Sequence, residues 1–167
     1  MSIENSRSLL FPIVASLLIL VSSTLGFAQS QKSSAGFQGR WNWAIFAEDK
    51  SELPPAYQSM ELKEVPRYAL DLTFKEKGRR VSGTWGLLAR FLARVDEGSF
   101  KTTSKGNVIT VRLNSNFGGS ATIQMTLRGN SLYWKRLNYK GEIYFPDEAV
   151  LRRLKPGEKL SYEADDN

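Results

Sequence analysis

Residues 107–137 read NVITVRLNSNFGGSATIQMTLRGNSLYWKRL, and this stretch determines the predicted fold. Three short runs rich in β-branched and aromatic residues are separated by asparagine, serine and glycine at positions 114–119 and 129–131. Such runs are typical of antiparallel strands joined by turns. Their apolar positions recur with a period of two and fall on one face: Ile109, Val111, Leu113, Ile123, Met125 and Leu127. The stretch therefore predicts a meander with one face in a core and the other in water.

The same alternation recurs nearer the N-terminus. Residues 41–47 form a predicted first strand with two tryptophans on one face, and residues 68–75 alternate strictly. Lys77-Gly78 supplies a turn, after which residues 81–85 return as the second half of a hairpin. Three prolines between residues 48 and 67 exclude a central strand there. We interpret that segment as a long excursion, and as the lid if one end of the fold is open.

The remaining runs complete the predicted fold class. Residues 87–96 are interpreted as a strand end and a wide connection, which leads into a strand at 97–103. A last short strand is predicted at 142–145. The proline at 146, followed by two acids, is typical of a helix start and predicts a short C-terminal helix at 149–154. The sequence thus predicts an all-β fold, a single antiparallel meander of about eight strands. We expect it to close into a barrel, because an open meander would leave two unpaired edges.

Four segments describe the predicted domain organisation. They are a cleaved signal peptide at 1–28, a flexible arm at 29–36, the β-barrel domain at 37–155 and a loose polar tail at 156–167. The signal is predicted because residues 9–27 are largely apolar and are followed by a small-residue cleavage site at Gly26-Phe27-Ala28. An uncleaved membrane anchor is the alternative interpretation. With cleavage, we expect a secreted or periplasmic protein without a transmembrane span.

The absence of cysteine and histidine excludes several common classes of catalytic and metal site. The chain has no cysteine and no histidine, so the usual thiol nucleophiles, serine–histidine relays and soft metal sites are unavailable. The acids fall mainly in loops and termini; Asp71, within a strand, is expected to face solvent or a cross-strand lysine. No catalytic residue, metal site or cofactor is predicted, and we expect the protein not to be an enzyme.

The formal net charge of +6 raises the question of an anionic partner. The positive residues are spread along strands and turns, and no nucleic-acid-binding motif accompanies them. A solvated basic surface explains them, so nucleic acid is not a predicted partner. The alternative is an anionic envelope surface, such as lipid head groups or polysaccharide.

Gly39-Arg40-Trp41, at the start of the first strand, resembles the glycine-x-tryptophan motif of lipocalin-like, calycin-type barrels. This resemblance implies that Trp41 closes the barrel bottom beneath a basic residue from the last long strand. Lys135 and Arg136 are the candidates, and Arg136 is favoured because it shares a strand face with Trp134. Gly83-Thr84-Trp85 is similar to a hairpin of avidin-like barrels. The run from residue 107 to residue 146 is similar to short exported bacterial proteins.

The resemblance implies that the barrel binds a small apolar or amphipathic ligand. The candidates for lining its pocket are Trp43, Tyr68, Trp85 and Trp134. The competing hypothesis is a filled barrel that acts through its basic outer face, as an envelope or protein-interaction module, around Arg112, Gln124 and Lys135. A continuous interior pocket favours the first hypothesis and a packed interior the second. A hydrolase or isomerase would require a buried carboxylate beside a pocket.

Overall fold

The computed structural model describes residues 36–163. The predicted signal peptide, nearly all of the arm and the last four residues of the tail lie outside this range. Eight strands occur within it: β1 (Gly39–Phe46), β2 (Pro66–Lys77), β3 (Arg80–Ala89), β4 (Arg94–Thr103), β5 (Val108–Asn114), β6 (Ser120–Arg128), β7 (Ser131–Lys140) and β8 (Glu148–Arg153). Three short 3₁₀ turns lie between β1 and β2: Lys50–Glu52, Pro55–Tyr57 and Leu62–Glu64.

The strands form one antiparallel sheet in the order β4-β3-β2-β1-β8-β7-β6-β5, which curls into a nearly closed barrel. Its two end strands, β4 and β5, face each other along a seam, where the Thr102 hydroxyl donates to the Thr110 carbonyl at 2.8 Å. The predicted all-β meander of about eight strands is therefore confirmed. No helix of the described residues is long and apolar enough to span a bilayer.

The predicted C-terminal helix is wrong, because residues 148–153 form β8. Ala149 and Leu151 alternate inward, and the strand pairs with β7 on one side and with β1 on the other. These two sets of main-chain hydrogen bonds outweigh the local helix signal at Pro146. The predicted strand at 142–145 is likewise wrong, since these residues form part of the β7–β8 connection.

Inward side chains from all eight strands form a single hydrophobic core. The largest of them include Trp41, Phe74 and Trp134, all essentially inaccessible to solvent. Every buried side-chain nitrogen and oxygen within residues 36–163 has a hydrogen-bond partner. The interior is thus filled by the chain's own side chains over most of its length. Within residues 36–163 every member of this core lies at or beyond Phe37, so a chain that begins at Gln29 retains all eight described strands.

One end of the barrel, here called the closed end, is sealed by Phe37 and Trp41. The Trp41 indole nitrogen donates to the Phe37 carbonyl at 2.8 Å, and the Phe37 nitrogen donates to the Glu76 carboxylate at 2.8 Å. Gly39 has a φ of +118°, a conformation that other residues rarely adopt. This glycine therefore lets the chain turn from the Phe37 plug into β1.

The cation above Trp41 is Arg153 of β8. The expectation that Arg136 would cover Trp41 is therefore wrong. The Arg153 guanidinium lies 4.3 Å from the Trp41 ring centroid and donates to the carbonyls of Gly36 and Gln38. Burial lowers the pKa of Arg153. Arg136 instead lies over Tyr139, at 4.7 Å. The reason is register, because barrel closure aligns Trp41 with Arg153 across the β1–β8 pair.

Residues 154–163, here called the C-terminal segment, pack across the outer face of β1. Residues 156–163, which belong to the predicted loose polar tail, contact β1 and the excursion through Tyr162, Glu163 and Ser161. Asp71 faces Arg40 instead of solvent or a lysine: Arg40 donates to its carboxylate at 2.8–3.1 Å and also pairs with Glu163. Burial raises the pKa of Asp71 although Arg40 counteracts it. Buried Asn42 donates to the Tyr162 hydroxyl at 2.5 Å, so polar contacts hold the segment in place.

Ionisation of Tyr162 will destabilise the fold at alkaline pH. Burial raises the pKa of Tyr162 to about 12 from the ordinary value of 10.0. Between these values the unfolded chain loses the phenolic proton while the folded chain keeps it, so stability is lost as pH rises through this window. Urea unfolding at about pH 9 and about pH 11 is expected to show a larger loss of stability for the wild type than for Tyr162→Phe. Equal losses in the two proteins would refute this assignment.

Candidate ligand-binding site

The opposite end of the barrel, here called the mouth, has an incompletely covered interior. Trp43 pairs with the inward residue Leu70, and Ile45 pairs with Tyr68, so these side chains continue the inward row of Trp41. Unlike Trp41, they are not fully buried, and the Ile45 side chain remains 43% exposed. The last layer of the barrel interior is therefore accessible from outside.

An open surface depression of about 470 Å³ lies at the mouth, and we call it the mouth cavity. Its lining combines apolar and aromatic residues with three charged ones: Trp43, Ile45, Tyr68, Arg136, Ile143, Tyr144, Phe145, Pro146, Asp147 and Glu148. Its size falls within the usual range for small-molecule sites, and so does its mixture of apolar walls with a few polar groups.

Phe145 forms the floor of the mouth. Its ring meets Trp85 edge-on, with centroids 4.8 Å apart, and lies 6.0 Å from the ring of Trp134. Trp85 and Trp134 are 3% and 2% exposed and fill the barrel beneath it. Among the four predicted pocket residues, Trp43 and Tyr68 line the cavity, whereas Trp85 and Trp134 belong to the packed core below.

Residues 141–147, here called the strap, connect β7 to β8 and carry Phe145 into the mouth. The Trp134 indole nitrogen donates to the Pro146 carbonyl at 3.0 Å. The Arg136 guanidinium donates to the Phe145 carbonyl at 2.6 Å and forms an ion pair with Asp147. Arg136 therefore fixes the strap over the mouth, which is a role that sequence analysis did not predict.

Tyr144 extends from the strap toward the turns on the far side of the mouth. Its ring meets Phe117 edge-on, with centroids 5.1 Å apart, and the guanidinium of Arg90 lies 5.0 Å from its centroid. Arg94 donates to the Tyr144 hydroxyl at 3.3 Å, and this hydrogen bond raises the pKa of Arg94. That hydroxyl in turn donates to Glu142. The strap is thus held at both sides of the barrel.

The turn between β3 and β4 stores backbone strain beside the mouth. Arg90, Phe91 and Leu92 have φ values of 53°, 55° and 66°, a region that costs about 1–2 kcal/mol for each non-glycine residue. Phe91 and Leu92 pack on a small second core formed by the excursion around Leu53 and Val65. The excursion therefore supports the turn that presents Arg90 to Tyr144. The strap, not the excursion, lies over the mouth.

The predicted basic outer face is neutralised at Lys135. Lys135 pairs with Glu148 at 3.3 Å, and the Arg112 guanidinium donates to the Ser120 hydroxyl at 3.0 Å. Gln124 lies beside Lys135 in the sheet register. These residues share a surface, as predicted from their alternation, but they do not form a concentration of free positive charge.

Asp96 is a buried carboxylate that does not line the mouth cavity. It accepts hydrogen bonds from the Ser115 hydroxyl at 2.6 Å and from the main-chain nitrogens of Asn116 and Glu97, both at 3.0 Å. These bonds tie the start of β4 to the β5–β6 turn, so the role of Asp96 is structural. Residues 36–163 contain no group of three or more acidic, histidine or cysteine side chains arranged to hold a metal ion.

No family model, curated protein or solved structure matches the chain. The nearly closed barrel of eight antiparallel strands is consistent with a lipocalin-like barrel. The Gly39-Arg40-Trp41 resemblance implies a tryptophan beneath a basic residue, and Trp41 lies beneath Arg153. Function is therefore inferred from the mouth and from the outer surface of this barrel.

Proposed function

We propose that this chain is an exported, non-enzymatic barrel protein that binds a small apolar or amphipathic ligand at the mouth. The observation that carries the proposal is the row of inward side chains at Trp43, Ile45 and Tyr68, which line the mouth cavity of about 470 Å³. Elsewhere in the barrel such inward residues are covered by their neighbours. Export is supported by the apolar run of residues 9–27 and by the small residues Gly26 and Ala28 at its end.

The lining of the mouth defines the class of ligand. Trp43, Ile45 and Ile143 contribute apolar surface to the lining, and Arg136 and Asp147 contribute charged groups. The packed rings of Phe145 and Trp85 limit the depth of the cavity. A ligand with a compact apolar body and a polar end that remains near solvent fits this arrangement.

Binding to the mouth is tested with a matched pair of tyrosine variants. Tyr68 lines the mouth, whereas Tyr133 is 39% exposed on the outer face of β7. The chain from Gln29 is titrated with fatty acids, retinoids and a neutral environment-sensitive dye, with tryptophan and dye fluorescence as the readouts. Tyr68→Ala removes an aromatic ring from the lining of the mouth. We expect it to weaken binding about tenfold, which corresponds to a loss of about 1.4 kcal/mol in binding free energy.

Tyr133→Ala is the control and is expected to leave the affinity unchanged. Equal weakening by the two variants would contradict binding at the mouth. If no compound of the panel changes the fluorescence of the folded protein, the proposal is refuted. Circular dichroism establishes folding independently of the ligand.

A filled barrel that acts through its exterior is the second candidate function. The observation that favours it is the packed core below the mouth, where the ring of Phe145 lies against the buried rings of Trp85 and Trp134. For this function the relevant feature is the distribution of charge over the outer surface.

A further inference from the structure

Positive charge is concentrated on two hairpins at the closed end. The relevant parts are residues 75–82 of the β2–β3 hairpin and residues 101–105 at the start of the β4–β5 turn, whose cations are Lys75, Lys77, Arg79, Arg80, Lys101 and Lys105. Glu76 is the single acid among them, so six cations less one carboxylate give this surface +5 of the whole chain's formal +6. The rest of the protein is nearly neutral, and we name this surface the basic face.

Glu76 alternates with Lys75 and Lys77 along β2 and therefore lies on the inner face of the hairpin. It pairs in register with Val81, which is buried, and its carboxylate accepts the Phe37 main-chain hydrogen bond on the inner side. Within residues 36–163, none of the six ion pairs involves a cation of the basic face. By contrast, Lys135 on β7 has its partner in Glu148.

The cations are held in a fixed pattern by the sheet. Lys75, Ser82 and Lys101 are aligned across β2, β3 and β4, which places the two lysines about 10 Å apart on either side of a hydroxyl. The next outward row aligns Lys77, Arg80 and Thr103. These rows border a surface groove of about 520 Å³, whose lining also includes Glu76.

Hydrogen bonds also join the two hairpins to each other. The Ser104 nitrogen donates to the Arg79 carbonyl at 2.8 Å, and the Arg79 guanidinium donates back to the Ser104 carbonyl at 3.3 Å. Ser104 is itself buried. Both turns therefore present their charges as one surface.

We infer that the basic face binds a linear acidic polysaccharide through its carboxylate or sulfate groups. The groove offers cations for those groups together with the hydroxyls of Ser82 and Thr103, which hydrogen-bond to sugars. Electrostatic complementarity of this kind supports both affinity and a fast association. The inference does not depend on a ligand in the mouth, which lies at the other end of the barrel.

The absence of exposed apolar groups argues for a polysaccharide over a bilayer or a nucleic acid. The exposed large hydrophobic residues of the described chain all lie off the basic face: Ile45, Val95, Tyr133, Leu137, Tyr139 and Val150. Interfacial proteins use such side chains to enter the acyl region, and single-stranded nucleic acids stack on exposed aromatic rings.

The test compares two fourfold variants that lose the same charge. The first is Lys75→Gln/Lys77→Gln/Arg80→Gln/Lys101→Gln on the basic face. The control on β5–β7 is Arg112→Gln/Arg128→Gln/Lys135→Gln/Lys140→Gln. The chain from Gln29 is titrated with polygalacturonate and with dextran sulfate over a range of NaCl concentrations. The first variant is expected to bind at least about tenfold more weakly, with a salt slope reduced by about one for each lost contact.

The control variant is expected to retain most of the wild-type affinity and slope. Equal weakening by the two variants would show that only net charge matters and would overturn the inference. Tighter binding to duplex DNA or to phosphatidylglycerol vesicles than to both polysaccharides would overturn it as well. If the fourfold variant does not unfold cooperatively, Lys75→Gln/Lys101→Gln is used, with Arg112→Gln/Lys135→Gln as its control.

Discussion

Trp41→Ala is expected to lower the free energy of unfolding by about 4 kcal/mol, the scale for removing a large aromatic ring from a core. Trp41 is completely buried, its indole nitrogen donates to Phe37, and Arg153 lies 4.3 Å from its ring. Its loss leaves a void and removes the contacts that seal the closed end. Urea unfolding of the chain from Gln29, followed by circular dichroism, measures the change.

Two further variants divide this effect into its parts. Trp41→Phe keeps a ring beneath Arg153 but leaves the buried Phe37 carbonyl without its donor, which costs about 1–3 kcal/mol. Trp43→Ala removes the same side chain two residues later, where it is only half-buried, and is expected to cost less than Trp41→Ala. Equal costs at positions 41 and 43 would contradict a special role for the closed end.

Phe145→Ala is expected to reduce stability by about 3–5 kcal/mol, the usual cost of deleting a buried phenyl ring. The ring lies against Trp85 and Trp134, so its removal extends the mouth cavity into the barrel interior. We therefore expect a second effect of opposite sign, in which a neutral apolar dye binds more tightly. Urea unfolding and dye titration of the same preparation measure the two effects.

Phe145→Leu provides the control for volume. Leucine retains most of the apolar bulk, so this variant is expected to lose less stability than Phe145→Ala and to gain little affinity for the dye. Unchanged stability together with unchanged dye binding in Phe145→Ala would show that the ring is not the floor of the mouth.

Local patterning was sufficient to predict most of the barrel. Period-two alternation correctly assigned Ile109 and Met125 to the core, and the glycine turns correctly separated the strands. The pattern was insufficient at residues 148–153, where a proline and two acids favour a helix. There the deciding interactions are the pairings with β7 and β1, which a local sequence window does not contain.

The site was harder to predict than the fold, because its parts meet only after the barrel closes. The sequence placed Arg136 near Trp41 by its position on a strand face, yet the β1–β8 register brings Arg153 there instead. Phe145 and Tyr144 were assigned to a strand, although Pro146 directly follows them and Gly141 precedes them. The glycine and the proline were the available signals that this segment is a connection.

Charge compensation was also beyond a linear pattern. The sequence counts Lys135 and Lys75 alike, but the sheet places Glu148 beside the first and no acid partner beside the second within residues 36–163. Likewise, the turn at residues 90–92 has positive φ values but contains no glycine, so its left-handed backbone could not be predicted from residue type. The second core beneath Phe91 and Leu92 is what holds that turn.

The strand order has a consequence for how the chain folds. Strands β1–β4 and β5–β8 are two meanders, each formed from neighbours in sequence, and the halves are joined at β1 and β8 by a ladder that aligns Trp41 with Arg153 and Asn42 with Arg152. Local hairpins form quickly, whereas bringing residues so distant in sequence together carries a loop-closure cost. We therefore expect the two halves to form first and the meeting of β1 with β8 to limit the folding rate.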